Sequence, residues 1–209
     1  MPLVIPRLYA IIDPAHAGGR SPLEVAETLL RLGVGLIQLR DKRASSGELF
    51  AWAAQVAERV RAAKGVFIVN DRADIARAAG AEGVHVGQED LPVEDARRVV
   101  GLGKWVGCST HVLQQIQEAD ASSADYLAYG PVFPTTSKEN PDPVVGLAGV
   151  RAARRMTRKP LVAIGGITVQ NARAVIEAGA DSAAVISGLV GAPDIAKRAE
   201  EFLRVLADL

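Results

Sequence analysis

Hydroxyl and cationic side chains are concentrated in a polar stretch that follows an apolar run ending near residue 129. The stretch contains Thr135, Thr136, Ser137 and Lys138 in direct succession. Hydroxyls and backbone N–H groups donate hydrogen bonds to phosphate oxygens, and a lysine ammonium can stabilise the charge that develops on a leaving anion. The stretch is therefore predicted to hold phosphorylated ligands, with Lys138 acting on the anion that departs.

A second group of polar side chains ends the second apolar run, at residues 38–42. Gln38, Arg40 and Lys42 have the same parity, so in a strand they point to one side, whereas Leu39 points to the other. Two cations at a strand end suit a ligand with several negative charges, and an arginine can bind phosphate oxygens through two N–H groups at once. The alternative is an exposed strand end whose charges are only salt-bridged.

Two carboxylates follow the next two apolar runs. Asp71 comes after the third run and Asp90 after the fourth. Two hard oxygen ligands can hold Mg²⁺, which usually keeps several waters and takes substrate phosphates as further ligands. The alternative is that each Asp caps the N-terminus of the helix that follows it. Asn70, beside Asp71, carries an amide that can recognise a heterocycle through hydrogen bonds.

Small residues follow the last two apolar runs. Gly165-Gly166 comes after the seventh run and Ile186-Ser187 after the eighth. Loops after the seventh and eighth strands of a TIM barrel frequently bind phosphate, and glycine lets backbone N–H groups approach it closely. The alternative is that Gly165-Gly166 only turns the chain. His85 lies within the fourth run and is predicted to be an interior residue rather than a base.

The elements that must position these groups are short apolar runs that alternate with helix-like segments. Short runs that are nearly all apolar are typical of parallel strands covered by helices. The predicted strands lie at 8–12, 35–40, 66–70, 83–86, 105–109, 125–129, 160–164 and 182–186. Eight strand–helix units predict an α/β protein with one (β/α)8 TIM-barrel domain over residues 1–209, whose site lies at the C-terminal ends of the strands. An open doubly wound sheet is the alternative.

Charge and hydropathy argue against several other classes of protein. Lys and Arg number 24 and Asp and Glu number 24, so no positive charge favours nucleic acid, and an aromatic content of 4% offers few side chains for base stacking. No apolar run reaches about 18 residues, so no membrane span is predicted. The N-terminus does not resemble a signal peptide, and Cys108 alone allows no internal disulfide. A cytoplasmic protein is the simplest expectation.

Taken in order, the polar segments resemble the thiamine-phosphate synthase family over nearly the whole chain. Each segment alone is of modest specificity, but the ordered set is highly specific. The segments that carry the resemblance are Gln38-Leu39-Arg40-Asp41-Lys42, Asn70-Asp71-Arg72-Ala73-Asp74, Gly83-Val84-His85-Val86-Gly87-Gln88-Glu89-Asp90-Leu91-Pro92, Gly107-Cys108-Ser109-Thr110-His111, Gly130-Pro131-Val132-Phe133-Pro134-Thr135 and Ala163-Ile164-Gly165-Gly166-Ile167.

The resemblance implies a TIM-barrel transferase of thiamine biosynthesis, with Mg²⁺ as its cofactor and two small-molecule substrates. The enzyme would join 4-amino-2-methyl-5-hydroxymethylpyrimidine diphosphate to a thiazole phosphate, or to the carboxylated tautomer of that thiazole, and release pyrophosphate. The family is thought to react through a dissociative step, because the electron-rich aminopyrimidine stabilises a cation at the carbon that the diphosphate leaves.

The same resemblance implies roles for individual residues. Asp71 and Asp90 would hold Mg²⁺. The residues at the pyrimidine diphosphate would be Gln38, Leu39, Arg40, Asp41, Lys42, Asn70, Ser109 and Lys138. The residues at the thiazole phosphate would be Thr135, Thr136, Ser137, Gly166, Ile186 and Ser187. Among all of these, the catalytic residues would be Arg40, Lys42, Ser109 and Lys138.

Two other functions stay open at this point. One is a thiazole tautomerase of the same superfamily, which the pair Ser187-Gly188 resembles. The other is a regulator that binds phosphorylated ligands without turning them over. The complete set of cations and carboxylates, together with Pro131 at a position where tautomerases can carry a histidine, favours the synthase. A homo-oligomer is also open.

Overall fold

Eight parallel strands close into a barrel in the computed structural model, which describes residues 3–137 and 142–207. Each strand pairs with its neighbours in the sequence, and β1 closes the barrel by pairing with β8. The strands are β1 Leu8–Ile12, β2 Leu36–Leu39, β3 Val66–Asn70, β4 Gly83–Val86, β5 Trp105–Thr110, β6 Tyr126–Tyr129, β7 Leu161–Ile164 and β8 Ser182–Val185. The predicted TIM barrel is therefore confirmed, and the open sheet is excluded.

Helices cover the outside of the barrel and connect its strands. They are α1 Pro22–Arg31, α2 Ser46–Ala62, α3 Ala73–Ala78, α4 Val93–Val100, α5 Leu113–Ala121, α6 Gly146–Met156, α7 Val169–Glu177, α8 Ser187–Val190 and α9 Ile195–Ala207. A short 3₁₀ turn, Pro14–His16, precedes α1. Among the described residues, no helix combines the length and the apolar content that a bilayer span needs.

Two apolar layers surround the strands, one inside the barrel and one between the barrel and its helices. The alternation along β2 shows the division. Leu36 belongs to the interior layer, while Ile37 and Leu39 belong to the layer under the helices. Gln38 points inward, where its Nε2 donates to Tyr9 Oη at 2.7 Å. The predicted parity of this strand is confirmed. Arg40 and Lys42, which have the same parity as Gln38, follow the strand at the mouth of the barrel.

Carboxylates brace the N-terminal end of the barrel, away from the strand ends that carry the polar clusters. Glu82, Asp125 and Asp181 each precede an even-numbered strand and accept a hydrogen bond from the backbone N–H of the preceding odd-numbered strand, at 3.1, 2.7 and 2.8 Å. Arg97 pairs with Asp125, and Arg154 with Asp181. These contacts stabilise the N-terminal face of the barrel, and ligands of TIM barrels usually bind at the opposite face.

Candidate active site

Two ion pairs lie at the C-terminal ends of the first three strands. Arg40 pairs with Asp13, a carboxylate that is only 2% exposed, and Lys42 pairs with Asp71. The Oδ1 atom of Asp13 also accepts a hydrogen bond from Ala15 N at 3.0 Å, which fixes the carboxylate. Arg40 is therefore held at the mouth by a buried partner. Asp13 is not among the residues predicted from the sequence, although its position directly after β1 was the available signal.

The backbone conformation of Asp71 and the pKa of its carboxylate are both unusual. Its φ is +61°, in the left-handed region that non-glycine residues seldom adopt. Its pKa is raised to about 6: burial is the largest cause, Lys42 opposes the shift, and the neighbouring Asp90 contributes to it. Strained backbone and perturbed carboxylates both occur preferentially at functional sites. Asp71 is thus a strong candidate for a ligand-binding role.

The capping alternative for Asp71 and Asp90 is wrong. The residue at the N-cap of α3 is Arg72, and the residue at the N-cap of α4 is Pro92; neither makes a side-chain capping bond. Asp90 Oδ2 instead accepts a hydrogen bond from Gly87 N at 2.8 Å, within the loop that follows β4. Both carboxylates are consequently available to the mouth of the barrel.

The donor set fits a magnesium ion that has only a few protein ligands. Within residues 3–137 and 142–207, no cluster of three or more His, Cys, Asp or Glu side chains could hold a metal. Asp71 and Asp90 are close enough to raise the pKa of Asp71 by their mutual repulsion. Two adjacent carboxylates of this kind suit Mg²⁺, because its remaining ligands are commonly waters and phosphate oxygens.

The other residues predicted for the pyrimidine side have different surroundings. Ser109 Oγ lies 2.8 Å from His85 Nε2 and is thereby fixed at the end of β5. Asn70 ends β3, and its side chain makes no hydrogen bond with the described part of the chain. Asp41 Oδ1 accepts from the backbone N–H groups of residues 43 and 44, at 2.9 and 3.0 Å, so it shapes the loop. Leu39 packs under the helices and offers only its backbone.

A cavity lies at the ends of β6, β7 and β8. Five of the six residues predicted for the thiazole phosphate line it, namely Thr135, Ser137, Gly166, Ile186 and Ser187. Gly165 lines it as well. The Oγ atoms of Ser137 and Ser187 are 3.0 Å apart, which brings two hydroxyls from distant loops together. Thr136 does not line the cavity, and its side chain is exposed. Lys138 lies outside the described residues.

Two glycines make this cavity possible. Gly166 has a φ of +64°, and a Cβ there would come within 2.4 Å of Pro134 O. A Cβ on Gly188 would come within 2.5 Å of Ile167 O. Loops this close together leave room for a small anion near backbone N–H groups and hydroxyls, but not for additional side chains. Glycine at position 166 therefore lets the segment after β7 approach Pro134 closely.

Comparison with known proteins assigns the family. The sequence model described as thiamine monophosphate synthase matches residues 8–189. The chain belongs to the thiamine monophosphate synthase family. It is 51% identical over 208 residues to the thiamine-phosphate synthase of Koribacter versatilis, covering 98% of this chain and 97% of the relative. The corresponding enzyme of Moorella thermoacetica is 42% identical over 199 residues, covering 95% of each chain.

A solved structure of a family member has the same fold. The thiamine phosphate pyrophosphorylase of Pyrococcus furiosus superposes with a TM-score of 0.88 at 36% identity, covering 97% of this chain and 96% of that one. Membership of the thiamine monophosphate synthase family makes this protein a transferase. The family resemblance drawn from the ordered polar segments is confirmed.

Proposed function

We propose that the protein is a thiamine-phosphate synthase that joins 4-amino-2-methyl-5-hydroxymethylpyrimidine diphosphate to a thiazole phosphate. One observation carries the proposal: a single barrel mouth has cations and paired carboxylates after β2 to β4, and a cavity of hydroxyls and glycines after β6 to β8. The first cluster suits a diphosphate and the second suits a monophosphate, so the two substrates can face each other across the mouth.

The pyrimidine diphosphate binds at the side of the mouth formed by the ends of β2 to β5. Arg40 and Lys42 bind diphosphate oxygens, and the ion pair with buried Asp13 holds Arg40 in place for that contact. Asn70, whose amide is free of protein partners in the described chain, and Ser109 hydrogen-bond to the substrate at its heterocycle or diphosphate. Lys138 completes this group in the proposal, on the basis of the family resemblance alone.

Asp71 and Asp90 are the proposed ligands of Mg²⁺. When bound, Mg²⁺ neutralises charge on the diphosphate and so makes pyrophosphate a better leaving group. The protein itself needs this help, since both described cations of the cluster are already paired with carboxylates: Arg40 with Asp13 and Lys42 with Asp71. Without a divalent ion, the cluster has little positive charge left over for a diphosphate.

The thiazole phosphate binds in the cavity at the ends of β6 to β8. Ser137 and Ser187 donate hydroxyl hydrogen bonds, and Gly165 and Gly166 expose backbone N–H groups to its oxygens. Thr135 Oγ1 accepts from Ser137 N at 3.2 Å and so supports this loop. The thiazole ring is thereby anchored by its phosphate, with its nitrogen directed toward the pyrimidine.

The reaction needs positioning and charge stabilisation more than proton transfer. The bond between the methylene carbon and the diphosphate oxygen breaks, and its electron pair leaves with pyrophosphate. The aminopyrimidine stabilises the cation that forms, and the thiazole nitrogen then donates its lone pair to the carbon. Arg40, Lys42 and Lys138 stabilise the departing anion, while both binding clusters hold the reacting atoms in line. A carboxylated thiazole would lose CO₂ as well.

The test is an assay of the purified protein with both substrates and Mg²⁺. We expect thiamine phosphate and pyrophosphate to form in equal amounts, and to form only when both substrates are present. Conversion of one thiazole tautomer into another without pyrophosphate release would identify a tautomerase and overturn the proposal. Binding of both substrates without any product would identify a regulator and overturn it equally.

A further inference from the structure

Five side chains from five strands form a continuous hydrogen-bond chain through the barrel interior. Gln38 Nε2 donates to Tyr9 Oη at 2.7 Å, and Tyr9 Oη lies 2.9 Å from Tyr126 Oη. Tyr126 Oη lies 3.0 Å from His85 Nδ1, and His85 Nε2 lies 2.8 Å from Ser109 Oγ. Both ends of this chain, Gln38 and Ser109, are side chains assigned above to the pyrimidine diphosphate. The three in the middle are buried and have no assigned role.

The direction of every hydrogen bond in the interior chain follows from its first donor. Tyr9 accepts from Gln38, so the Tyr9 proton goes to Tyr126. Tyr126 then donates its own proton to His85 Nδ1. His85 Nδ1 accepts this hydrogen bond and so has no proton, which places the proton of the ring on Nε2. His85 therefore donates to Ser109, whose hydroxyl proton is left free.

The fold makes room for this chain at a specific position. A Cβ on Gly107 of β5 would come within 2.1 Å of Tyr126 Cζ and 2.4 Å of His85 Nδ1. The chain lies among apolar residues of the interior layer, including Ile11 and Ile68. Buried polar side chains stabilise a core less readily than apolar ones of the same size unless every hydrogen bond is made. Every polar side-chain atom of Tyr9, Tyr126 and His85 is hydrogen-bonded in such a place, which indicates a role beyond packing.

We propose that the interior chain sets the hydrogen-bonding polarity of the two side chains that read the pyrimidine. Gln38 keeps Oε1 as an acceptor, and Ser109 presents its hydroxyl as a donor. An aminopyrimidine offers the complement, since its exocyclic amine donates and its ring nitrogens accept. Tyr9, Tyr126 and His85 are positioning residues, because they act only through Gln38 and Ser109. The role in reading the pyrimidine rests on the proposed function; the polarity of the chain does not.

The polarity is tested directly by ¹⁵N NMR of the histidine rings in the ligand-free protein at neutral pH. His85 is expected as the neutral tautomer with its proton on Nε2. In Tyr126→Phe the donor to Nδ1 is lost, and the signals are expected to shift toward the other tautomer. A wild-type His85 with its proton on Nδ1, or with both nitrogens protonated, would overturn the proposal without any need for activity.

The reading role is tested by calorimetry of Tyr126→Phe against Tyr129→Phe. Tyr129 lies on the same strand but packs under the helices, outside the interior hydrogen-bond chain. Tyr129→Phe is therefore a matched control, because it also removes one tyrosine hydroxyl. Loss of one buried hydrogen bond predicts roughly tenfold weaker binding of the pyrimidine diphosphate for Tyr126→Phe. Affinity for the thiazole phosphate should stay within about twofold in both variants.

Two results would overturn the reading role. One is unchanged pyrimidine affinity in Tyr126→Phe. The other is a wild-type protein that has the Nε2–H tautomer but does not bind the pyrimidine diphosphate, which would contradict the proposed function while leaving the polarity established. If Tyr126→Phe does not fold, Tyr9→Phe interrupts the same chain one bond earlier by removing the partner of Gln38, and unchanged pyrimidine affinity in that variant would equally overturn the reading role.

Discussion

Lys42 and Asp71 form an ion pair between the ends of β2 and β3, although the two residues are proposed for different partners. Lys42 is assigned to the diphosphate and Asp71 to magnesium. Lys42 lowers the pKa of Asp71, against the larger effect of burial and the repulsion from Asp90. The ion pair thus favours the ionised form of a partly buried carboxylate, and in the proposed function both side chains exchange it for ligand contacts.

Removal of the lysine should raise the pKa of Asp71 above its value of about 6. We expect this in Lys42→Met, because the variant keeps much of the side-chain volume and loses the charge that favours the carboxylate. Titration of the Asp71 carboxyl carbon by ¹³C NMR, in metal-free protein, measures the effect. Arg43→Met removes an exposed cation one residue away and serves as the control. An unchanged titration in Lys42→Met would show that the ion pair does not persist in solution.

Asp71→Asn should weaken the response to magnesium. The amide is a poorer ligand than a carboxylate, so a higher Mg²⁺ concentration should be needed for half-maximal activity, and Mn²⁺ detected by EPR should bind more weakly. Asp74→Asn provides a matched control, because Asp74 is an exposed carboxylate three residues away that pairs with Arg72. Equal metal dependence of the two variants would contradict the assignment of Asp71.

Gly166→Ala should weaken binding of the thiazole phosphate by tenfold or more. Its added Cβ would clash with Pro134 O, which lies within 2.4 Å, and the shift would displace the loops that line the cavity. Gly33→Ala controls for backbone strain, since Gly33 has a φ of +84° with open space around it and lies after α1. Calorimetry with each substrate separates the effects. Equal losses for both substrates would indicate general damage instead of a phosphate site.

The free energy of unfolding should decrease as the pH is lowered, because of His85. Its pKa is about 4 in the folded protein, against 6.5 ordinarily, because burial disfavours the charged ring. Below about pH 6.5 the unfolded chain binds a proton that the folded protein does not, so the free energy of unfolding decreases as the pH falls toward 4. Between pH 7 and pH 5 this loss amounts to about 2 kcal/mol.

Urea unfolding of the wild type and His85→Gln at pH 7 and pH 5 isolates this contribution. The glutamine does not titrate, so carboxylates such as Asp71, whose raised pKa acts in the opposite direction, affect both proteins alike. The wild type is expected to lose about 2 kcal/mol more than the variant over this interval. Parallel losses in the two proteins would mean that His85 is not the neutral, buried ring described here.

The barrel and half of its site could be predicted from the sequence because the information there is local. Short apolar runs fix the strands to within about two residues, and strand parity alone directs Gln38 inward. Polar residues that follow parallel strands must meet at one face of a closed barrel. These local rules are sufficient to predict that Arg40, Ser137 and Ser187 lie at this face.

The parts that were missed depend on closure of the barrel. Tyr9 and Tyr126 are 117 residues apart, and nothing in either strand alone indicates that their hydroxyls meet. Asp13 was overlooked because its importance comes from its partner Arg40 on the next strand. The capping interpretation of Asp71 and Asp90 was wrong because α3 starts one residue, and α4 two residues, later than an N-cap at these positions requires.

The central claim is that one barrel mouth holds a departing diphosphate on one side and the thiazole phosphate on the other. A crystal structure with thiamine phosphate, pyrophosphate and Mg²⁺ tests it most directly. We expect pyrophosphate beside Arg40 and Lys42, the metal at Asp71 and Asp90, and the phosphate of the product in the cavity beside Ser137 and Ser187. Pyrophosphate bound away from Arg40, or a product phosphate outside that cavity, would contradict it.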